Sequence, residues 1–299
     1  MTGPSSDRLA RILAAYDEAL QRQPLAANTR RAYRVRVHQY GDYLCSQPED
    51  YGNPLQDRHA RDYAVRDYKI FLKAEKRAKP RTVNLSLAAI DHFYEFLSLG
   101  KPEVRREELP QQAPGALRAE DQKRFLRVVE RAASCRDRAL VLLLFYTGIR
   151  IGECAALDIE DVPLSARRGQ VIIRSGKGDY YREVPLNAQV RPALKAWLQE
   201  RAQRFPTVTL PALFLNRQGQ RLSIRSLDLA LRRLGQEAGL TLSAHALRHT
   251  CLTTLVRQGV DLMLVAEIAG HKRLETTRRY CLPSAQDREA AMDRLQIDY

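Results

Sequence analysis

The stretch Thr-Gly-x-Arg-x-x-Glu at residues 147–153 has the residue types of a phosphate-binding element. It follows an apolar helix, turns at a glycine and begins a second helix, so Arg150 is expected near backbone N–H groups that favour an anion. A guanidinium can also bind two phosphate oxygens at once. The alternative interpretation is a purely structural ion pair between Arg150 and Glu153.

A second basic side chain, Lys177, lies between two glycines. Segments 170–174 and 181–186 have β-strand character, which predicts an antiparallel hairpin with Lys177 at its tip. An ammonium group that reaches a cleft from such a turn can protonate a leaving oxygen. The alternative is a solvent-exposed hairpin lysine. A Walker-type phosphate loop is excluded because it needs two glycines five residues apart before Lys-Ser or Lys-Thr.

The segment His-x-Leu-Arg-His at residues 245–249 opens a predicted helix and offers a base and another guanidinium. His245 and Arg248 are three residues apart and therefore share a helix face. His249 is predicted to point elsewhere, as a buried histidine with satisfied hydrogen bonds. A zinc site is disfavoured because Ala246 stands where the zincin pattern has glutamate and no third ligand has a suitable spacing.

The last motif pairs a Gly-His step, ending at His271, with Tyr280 nine residues later. A phenol has an ordinary pKa of about 10, so it becomes a useful nucleophile only when cations and a base surround it. The alternative for Tyr280 is an ordinary half-buried tyrosine. Each of the four motifs is a weak indication by itself.

Two regions of helical pattern, separated by a segment rich in proline and charge, must position these residues. In the first region Tyr33, Val37, Tyr40 and Leu44 form one apolar stripe, and three further helical segments complete a predicted four-helix bundle. In the second region helices flank the predicted strand pair. The predicted organisation is a helical domain over residues 1–101, a linker over residues 102–115 and a second domain over residues 116–299.

The charge balance predicts a polyanionic partner. The 299 residues include 49 Lys and Arg against 35 Asp and Glu, a formal net charge of +14 with a pI of about 9.8. The alternative is a solvated basic surface. Candidate contacts with such a partner are Arg30, Arg31, Arg34, Lys79, Arg81, Arg225, Arg232 and Arg233.

Other features restrict the class of protein. No apolar run approaches the roughly 18 residues that a membrane span needs, and the N-terminus lacks the apolar stretch of a signal peptide. The five cysteines are scattered and odd in number, without a Cys-x-x-Cys pair. We therefore expect a reduced, cytoplasmic protein with no metal site and no membrane contact.

Taken in order, the Arg, Lys, His-x-x-Arg, Gly-His and Tyr motifs resemble the tyrosine recombinase (phage integrase) family over nearly the full chain. The segment Asn-Thr-Arg-Arg-Ala-Tyr at residues 28–33 looks like the opening of that family's core-binding domain. Ala269 departs from the usual leucine before Gly-His, and Tyr180 and Tyr181 stand where polar residues are commoner. The resemblance implies a mainly α fold: a four-helix, SAM-like core-binding domain and a mixed α+β catalytic domain with a small antiparallel sheet.

The resemblance also implies a chemistry, in which DNA is cut through a 3′-phosphotyrosine with release of a 5′ hydroxyl. The implied roles are phosphate binding for Arg150 and Arg248, a hydrogen bond from His271, base or donor for His245, acid for Lys177, support of the arginines for Glu153 and nucleophile for Tyr280. No metal, nucleotide or other cofactor is expected.

The implied partner is double-stranded DNA. A homotetramer would act on two DNA sites through a Holliday junction and exchange its C-terminal tails between protomers, and the two-domain organisation looks Xer-like. The alternatives are a type IB topoisomerase, which shares this chemistry but would relax supercoils as a monomer, and a non-catalytic basic DNA-binding protein.

Overall fold

The computed structural model describes residues 6–46, 52–109, 115–165, 167–174, 181–271, 273–282 and Met292. The chain divides into two units, residues 1–110 and residues 111–299. The described residues are mainly helical with one small antiparallel sheet, which confirms the predicted fold class. Within these residues, no helix combines the length and the apolar character that crossing a membrane requires.

Helices account for most of the described part of the first unit. The Asp57 carboxylate accepts a hydrogen bond from the backbone N–H of Ala60 and caps one helix, and Pro80 opens the next, where its missing N–H has no cost. These helices form the predicted four-helix bundle. They are α1 (Ser6–Arg22), α2 (Ala27–Ser46), α3 (Arg58–Ala74) and α4 (Pro80–Phe96).

Aromatic side chains fill the core of the first unit. Tyr16, Tyr40, Tyr68 and Tyr94 are each no more than 1% exposed. A buried hydroxyl needs a hydrogen-bond partner, and those of Tyr40 and Tyr94 satisfy each other at 2.8 Å. The predicted stripe of α2 is confirmed at its centre, because Val37 and Tyr40 are fully buried.

The chain that follows α4 remains bonded to the first unit. The Glu107 carboxylate forms an ion pair with Lys69 at 2.8 Å, and the Glu107 backbone N–H donates to the Asn84 side-chain oxygen at 2.8 Å. The buried Arg61 guanidinium donates to the carbonyl of Gly100 at 2.8 Å. The predicted linker, residues 102–115, therefore begins with a segment that has fixed contacts rather than with free chain.

The second unit contains helices and a two-stranded sheet. Strand β1 (Gln170–Ile173) pairs antiparallel with β2 (Arg182–Pro185), with Val171 opposite Val184, as the alternating pattern predicts. The helices are α5 (Ala119–Arg131), α6 (Cys135–Thr147), α7 (Ile151–Ala156), α8 (Val190–Arg204), α9 (Ile224–Glu237), α10 (Ala244–Arg257), α11 (Leu262–Ala269) and α12 (Leu274–Arg278).

Helix α6 is the central support of the second unit. Its residues Leu140, Leu143 and Leu144 are at most 1% exposed, and burial extends around the helix. Such a helix is held by packing on all sides, so its C-terminal end is a fixed point. That end is Gly148, which adopts a left-handed conformation with φ of 62°.

Candidate active site

The turn after α6 fixes Arg150. The residue caps α7, its backbone N–H donates to one Glu153 oxygen at 2.8 Å, and its Nη1 donates to the other at 2.7 Å. Its Nη2 donates to the carbonyl of Gly270 at 3.0 Å. The side chain is still 47% exposed, and within the described residues these two acceptors occupy two of its five N–H groups. The predicted ion pair with Glu153 is therefore present, and it leaves donors for an anion.

Glu153 also binds a second guanidinium, that of Arg182 on β2. Arg182 Nη2 and Nη1 lie 2.7 Å and 3.2 Å from the two Glu153 oxygens, and Arg182 Nε donates to the carbonyl of Ile268 at 3.0 Å. Burial alone would raise the pKa of Glu153, but the hydrogen bonds from Arg182 and from the Arg150 backbone lower it. The carboxylate is thus ionised and connects two arginines.

Arg182 is a residue whose part in the site the sequence analysis missed. Its guanidinium is buried and joins β2 to α7 and to the end of α11. The signal was present in the sequence, because Arg182 follows the Gly-Lys-Gly turn by four residues. An alternating strand pattern gave the side to which Arg182 points, but not its partners on two other elements.

Arg248, on α10, is held by carbonyl groups. Its Nη1 donates to Gly148 O at 2.6 Å, and its Nη2 donates to Ala269 O at 2.7 Å. Both carbonyls lie at helix C-termini, where the helix dipole favours a cation. Burial, followed by the charge of Arg150, lowers the pKa of Arg248 to about 10, so the guanidinium remains charged at neutral pH.

His271 follows Gly270, which ends α11 in a left-handed conformation with φ of 63°. Its Nε2 lies 3.0 Å from Arg248 Nη2, and its Nδ1 lies 2.8 Å from the Thr277 hydroxyl. Since arginine only donates, Nε2 must be the acceptor and Nδ1 carries the proton. Burial and then Arg248 lower the pKa of His271 to about 4, so the ring is neutral at neutral pH.

Tyr280 belongs to a single 3-10 turn, Arg279–Cys281, that packs on α10. Its side chain is 5% exposed, and its ring stacks on that of His271 at 6.0 Å between centroids, 7° from parallel. Burial raises the pKa of Tyr280, whereas Arg248 and then Arg279 act to lower it. The phenol therefore lies among cations in the same chain.

His249 contradicts the prediction that it points elsewhere. Its Nδ1 lies 3.0 Å from the Tyr280 hydroxyl, and its ring centroid lies 3.9 Å from that of His245. The i, i+4 spacing of His245 and His249 indicated a shared face, but only the docking of the Tyr280 turn shows which face meets the phenol. His245 itself is exposed in the first turn of α10, which Ser243 caps.

Lys177 and its two flanking glycines lie outside the described residues. The strands on either side place the ends of this segment at Arg174 and Tyr181. Of the other predicted catalytic residues, Arg150, Glu153, Arg248, His271 and Tyr280 form one connected cluster, and His245 joins it through His249. Across the described ranges, no three His, Cys, Asp or Glu residues are placed to hold a metal ion.

The basic residues proposed as DNA contacts differ in their surroundings. Arg34, Arg232 and Arg233 form ion pairs with Asp17, Asp228 and Asp137, at 2.9, 2.5 and 2.8 Å. These carboxylates offset their charge. Arg30 is half-buried and donates to the carbonyl of Gln23, and the exposed members are Arg31, Arg34, Lys79, Arg81, Arg225, Arg232 and Arg233.

Arg225 lies at the end of α9 that faces the site. Its neighbour Ile224 packs against α7. The Cδ1 atom of Ile224 lies 3.8 Å from the position that a Cβ on Gly152 would take. Arg233 lies eight residues further along α9, roughly 12 Å from Arg225 at 1.5 Å per residue. The two arginines therefore occupy opposite ends of one exposed helix face.

The described fold is that of the tyrosine recombinases, the class that the sequence motifs indicated. Tyrosine recombinase XerA of Pyrococcus furiosus is 30% identical over 78% of this chain and 81% of its own length. Tyrosine recombinase XerC of Myxococcus xanthus is 34% identical over 76% of this chain and 78% of its own length.

Solved structures that resemble this chain are also recombinases. A crystal structure of XerA recombinase is 28% identical, with a TM-score of 0.55, over 97% of this chain and all of that one. XerH site-specific recombinase bound to difH substrate shares the fold at 23% identity, with a TM-score of 0.70, over 98% of this chain and 85% of that one. Residues 116–286 match the phage integrase family, and the chain belongs to it. The predicted resemblance is confirmed, and the topoisomerase alternative is not favoured.

Proposed function

We propose that this tyrosine recombinase cuts and rejoins double-stranded DNA at specific sites through a 3′-phosphotyrosine at Tyr280. The observation that carries the proposal is the placement of the Tyr280 phenol beside the buried guanidinium of Arg248 in the same chain. The 3.0 Å contact between Arg248 and His271, whose ring stacks on Tyr280, supports one shared site.

The chemistry is phosphoryl transfer, whose transition state spreads negative charge over the non-bridging phosphate oxygens. Arg150 and Arg248 bind those oxygens, since both are fixed by carbonyls and Arg150 keeps N–H groups toward solvent. Glu153 holds Arg150 in place through two hydrogen bonds. Fixed donors stabilise the transition state without having to reorganise during the reaction.

Three further residues donate hydrogen bonds or transfer protons. His271 donates to the phosphate in the tautomer that carries its proton on Nε2, in which Nδ1 accepts from the Thr277 hydroxyl. His245 assists near the nucleophile as base or donor. Lys177 protonates the departing 5′ oxygen. Replacement of Lys177 by alanine is expected to slow cleavage of ordinary DNA, and a 5′-thio leaving group, which needs no proton, is expected to restore it.

The reaction needs neither a metal ion nor ATP. Arginines supply the positive charge that a metal would otherwise bring to the phosphate, and the phosphotyrosine ester conserves the energy of the broken bond for rejoining. We further propose that the protein acts in the cytoplasm as a homotetramer on two DNA sites. The protomers exchange strands through a Holliday junction and exchange their C-terminal tails, which lie outside the described residues except for Met292.

A suicide DNA substrate with a nick beside the cleavage point tests the proposal. The wild type is expected to form a covalent protein–DNA adduct, and Tyr280→Phe to form none. Tyr146→Phe serves as the matched control, because Tyr146 is a partly buried tyrosine of the same unit that packs on the core. An adduct on Tyr280→Phe, or none on the wild type, would contradict the proposal. Supercoil relaxation without strand exchange between two sites would point to topoisomerase activity instead.

A further inference from the structure

We propose that His249 is a further catalytic residue, which holds the Tyr280 phenol for attack and receives its proton as the phosphotyrosine forms. This inference rests on the proposed function of Tyr280. It begins from the 3.0 Å contact between His249 Nδ1 and the Tyr280 hydroxyl. His249 is 6% exposed, so water does not compete freely for that contact.

The groups around the phenol determine where its proton points. Arg248 and Arg279, which lower the pKa of Tyr280, have donors and no acceptor. The acceptor nitrogen of His271 already receives a hydrogen bond from Arg248, and its ring lies parallel to the phenol rather than end-on. Within the part of the chain that the structure describes, His249 Nδ1 is therefore the acceptor that faces the Tyr280 proton.

His249 can accept that proton only when its ring is neutral. Burial, followed by the nearby His245, Arg279, Arg248 and His271, lowers the pKa of His249 to about 4. At neutral pH its Nδ1 therefore carries a lone pair, and its proton is on Nε2. The same surroundings make His249 a weak base in the free protein. A bound phosphodiester adds negative charge beside these groups, which favours the imidazolium as the phenol attacks.

The step is balanced in atoms and in charge. The Tyr280 oxygen forms a bond to phosphorus, the bond from phosphorus to the 5′ oxygen breaks, and the phenol proton passes to His249 Nδ1. The leaving 5′ oxygen takes its proton separately, from Lys177 in the proposed function. In rejoining, the 5′ hydroxyl attacks phosphorus and its proton passes back to Lys177. The bond from phosphorus to the Tyr280 oxygen breaks, and His249 returns its proton to that oxygen. The exposed His245 ring lies 3.9 Å from the His249 ring, measured between centroids. Protonation of both histidines at once is therefore disfavoured.

The rival interpretation is that His249 only fills space beneath the Tyr280 turn. The two interpretations differ in their dependence on pH. A residue that only packs affects the cleavage rate equally at every pH at which the protein is folded. Loss of a proton acceptor leaves hydroxide to remove the phenol proton, so the rate of the variant rises with pH.

The experiment compares single-turnover cleavage of the nicked suicide substrate between pH 6 and pH 9.5. His249→Asn retains an oxygen that can accept the phenol hydrogen bond but takes no proton, and His249→Gln is a second variant in case the first does not fold. The matched control is His92→Asn in the first unit, because His92 Nδ1 also contacts a tyrosine hydroxyl, that of Tyr16, at 3.1 Å. Melting temperature and DNA affinity are measured for each variant.

The variants at position 249 are expected to cleave about 100-fold or more slowly at pH 7, the usual effect of losing a general base. Their rates should climb with pH, while the wild type and His92→Asn remain nearly flat above neutral pH. A folded variant that cleaves within about threefold of the wild type, or is slowed equally at every pH, overturns the inference. Failure of the proposed function is distinguishable, because the wild type would then form no adduct, or Tyr280→Phe would form one as well.

Discussion

Substitution of Gly270 by alanine tests whether the contacts around Arg182 organise the site. Gly270 has φ of 63°, which disfavours any residue with a Cβ. An added Cβ would also lie 2.8 Å from Arg182 Nη1 and 2.9 Å from Arg182 Cζ. The guanidinium cannot move aside freely, because Glu153 and the carbonyl of Ile268 hold it.

The chain contains a matched control in Gly259. That glycine follows α10 with φ of 81°. Among the described residues, apart from its chain neighbours, no heavy atom lies within 4 Å of the position that an added Cβ would take. Gly259→Ala therefore carries only the left-handed backbone penalty, about 1 kcal/mol. Gly270→Ala carries the same penalty and displaces Arg182 from a buried ion pair, whose complete loss costs roughly 3–5 kcal/mol. A partial displacement leads us to expect a total of about 2–4 kcal/mol.

Thermal unfolding and cleavage are measured on both variants. For a unit of this size each kcal/mol lowers Tm by roughly 2–4 °C, so Gly270→Ala should lower it by about 4–16 °C and Gly259→Ala by about 2–4 °C. Gly270→Ala should also slow cleavage, because the carbonyl of Gly270 accepts from Arg150 at 3.0 Å. Addition of Arg182→Lys, which has no guanidinium to overlap, should recover part of the lost stability. Equal effects of the two alanine variants would refute the reasoning.

Two other predictions follow from charge. The pKa values of His249 and His271 are about 4, below the ordinary 6.5, so the unfolded chain binds more protons and the unfolding free energy falls as pH drops from about 6.5 to about 4. The pKa shift corresponds to a loss of roughly 3 kcal/mol of unfolding free energy per histidine, and screening by solvent near the cleft reduces that loss to about 1–2 kcal/mol. Urea unfolding at pH 7 and pH 4.5 measures this, and the same loss in His249→Asn/His271→Asn would contradict it. Arg225→Ala should weaken DNA binding and lower its salt dependence by about one ion, whereas Arg233→Ala, whose guanidinium pairs with Asp137, should change little. Fluorescence anisotropy at several salt concentrations measures the DNA affinity of both variants, and equal effects of the two substitutions would contradict this prediction.

Local patterns were enough to predict most of the elements. The stripe through Val37 and Tyr40 identified α2, alternation identified β1 and β2, and Ser223 caps α9 as its residue type predicts. These features depend on neighbours within a few residues. The order of the motifs was enough to predict the family, which the relatives confirm.

Contacts between distant elements could not be predicted in the same way. The Asp137 partner of Arg233 is 96 residues away, and the Tyr280 partner of His249 is 31 residues away. Spacing along a helix gives the direction of a side chain but not the element that packs against it. This limit explains both omissions: the sequence analysis gave Arg182 no role, and it predicted His249 to be a buried histidine that points elsewhere.

Burial, followed by the positive charges around them, explains why the histidines of the described cluster are neutral. Arg150, Arg182 and Arg248 carry three positive charges and Glu153 one negative charge, a net of +2. Carbonyls at the ends of α6 and α11 hold Arg248 in place without cancelling its charge. Burial lowers the pKa of both histidines to about 4, and nearby charge adds to it: Arg248, Arg150 and Arg182 for His271, and His245, Arg279 and Arg248 for His249. A phosphodiester would compensate that charge and raise both pKa values, so substrate binding itself would prepare His249 to accept a proton.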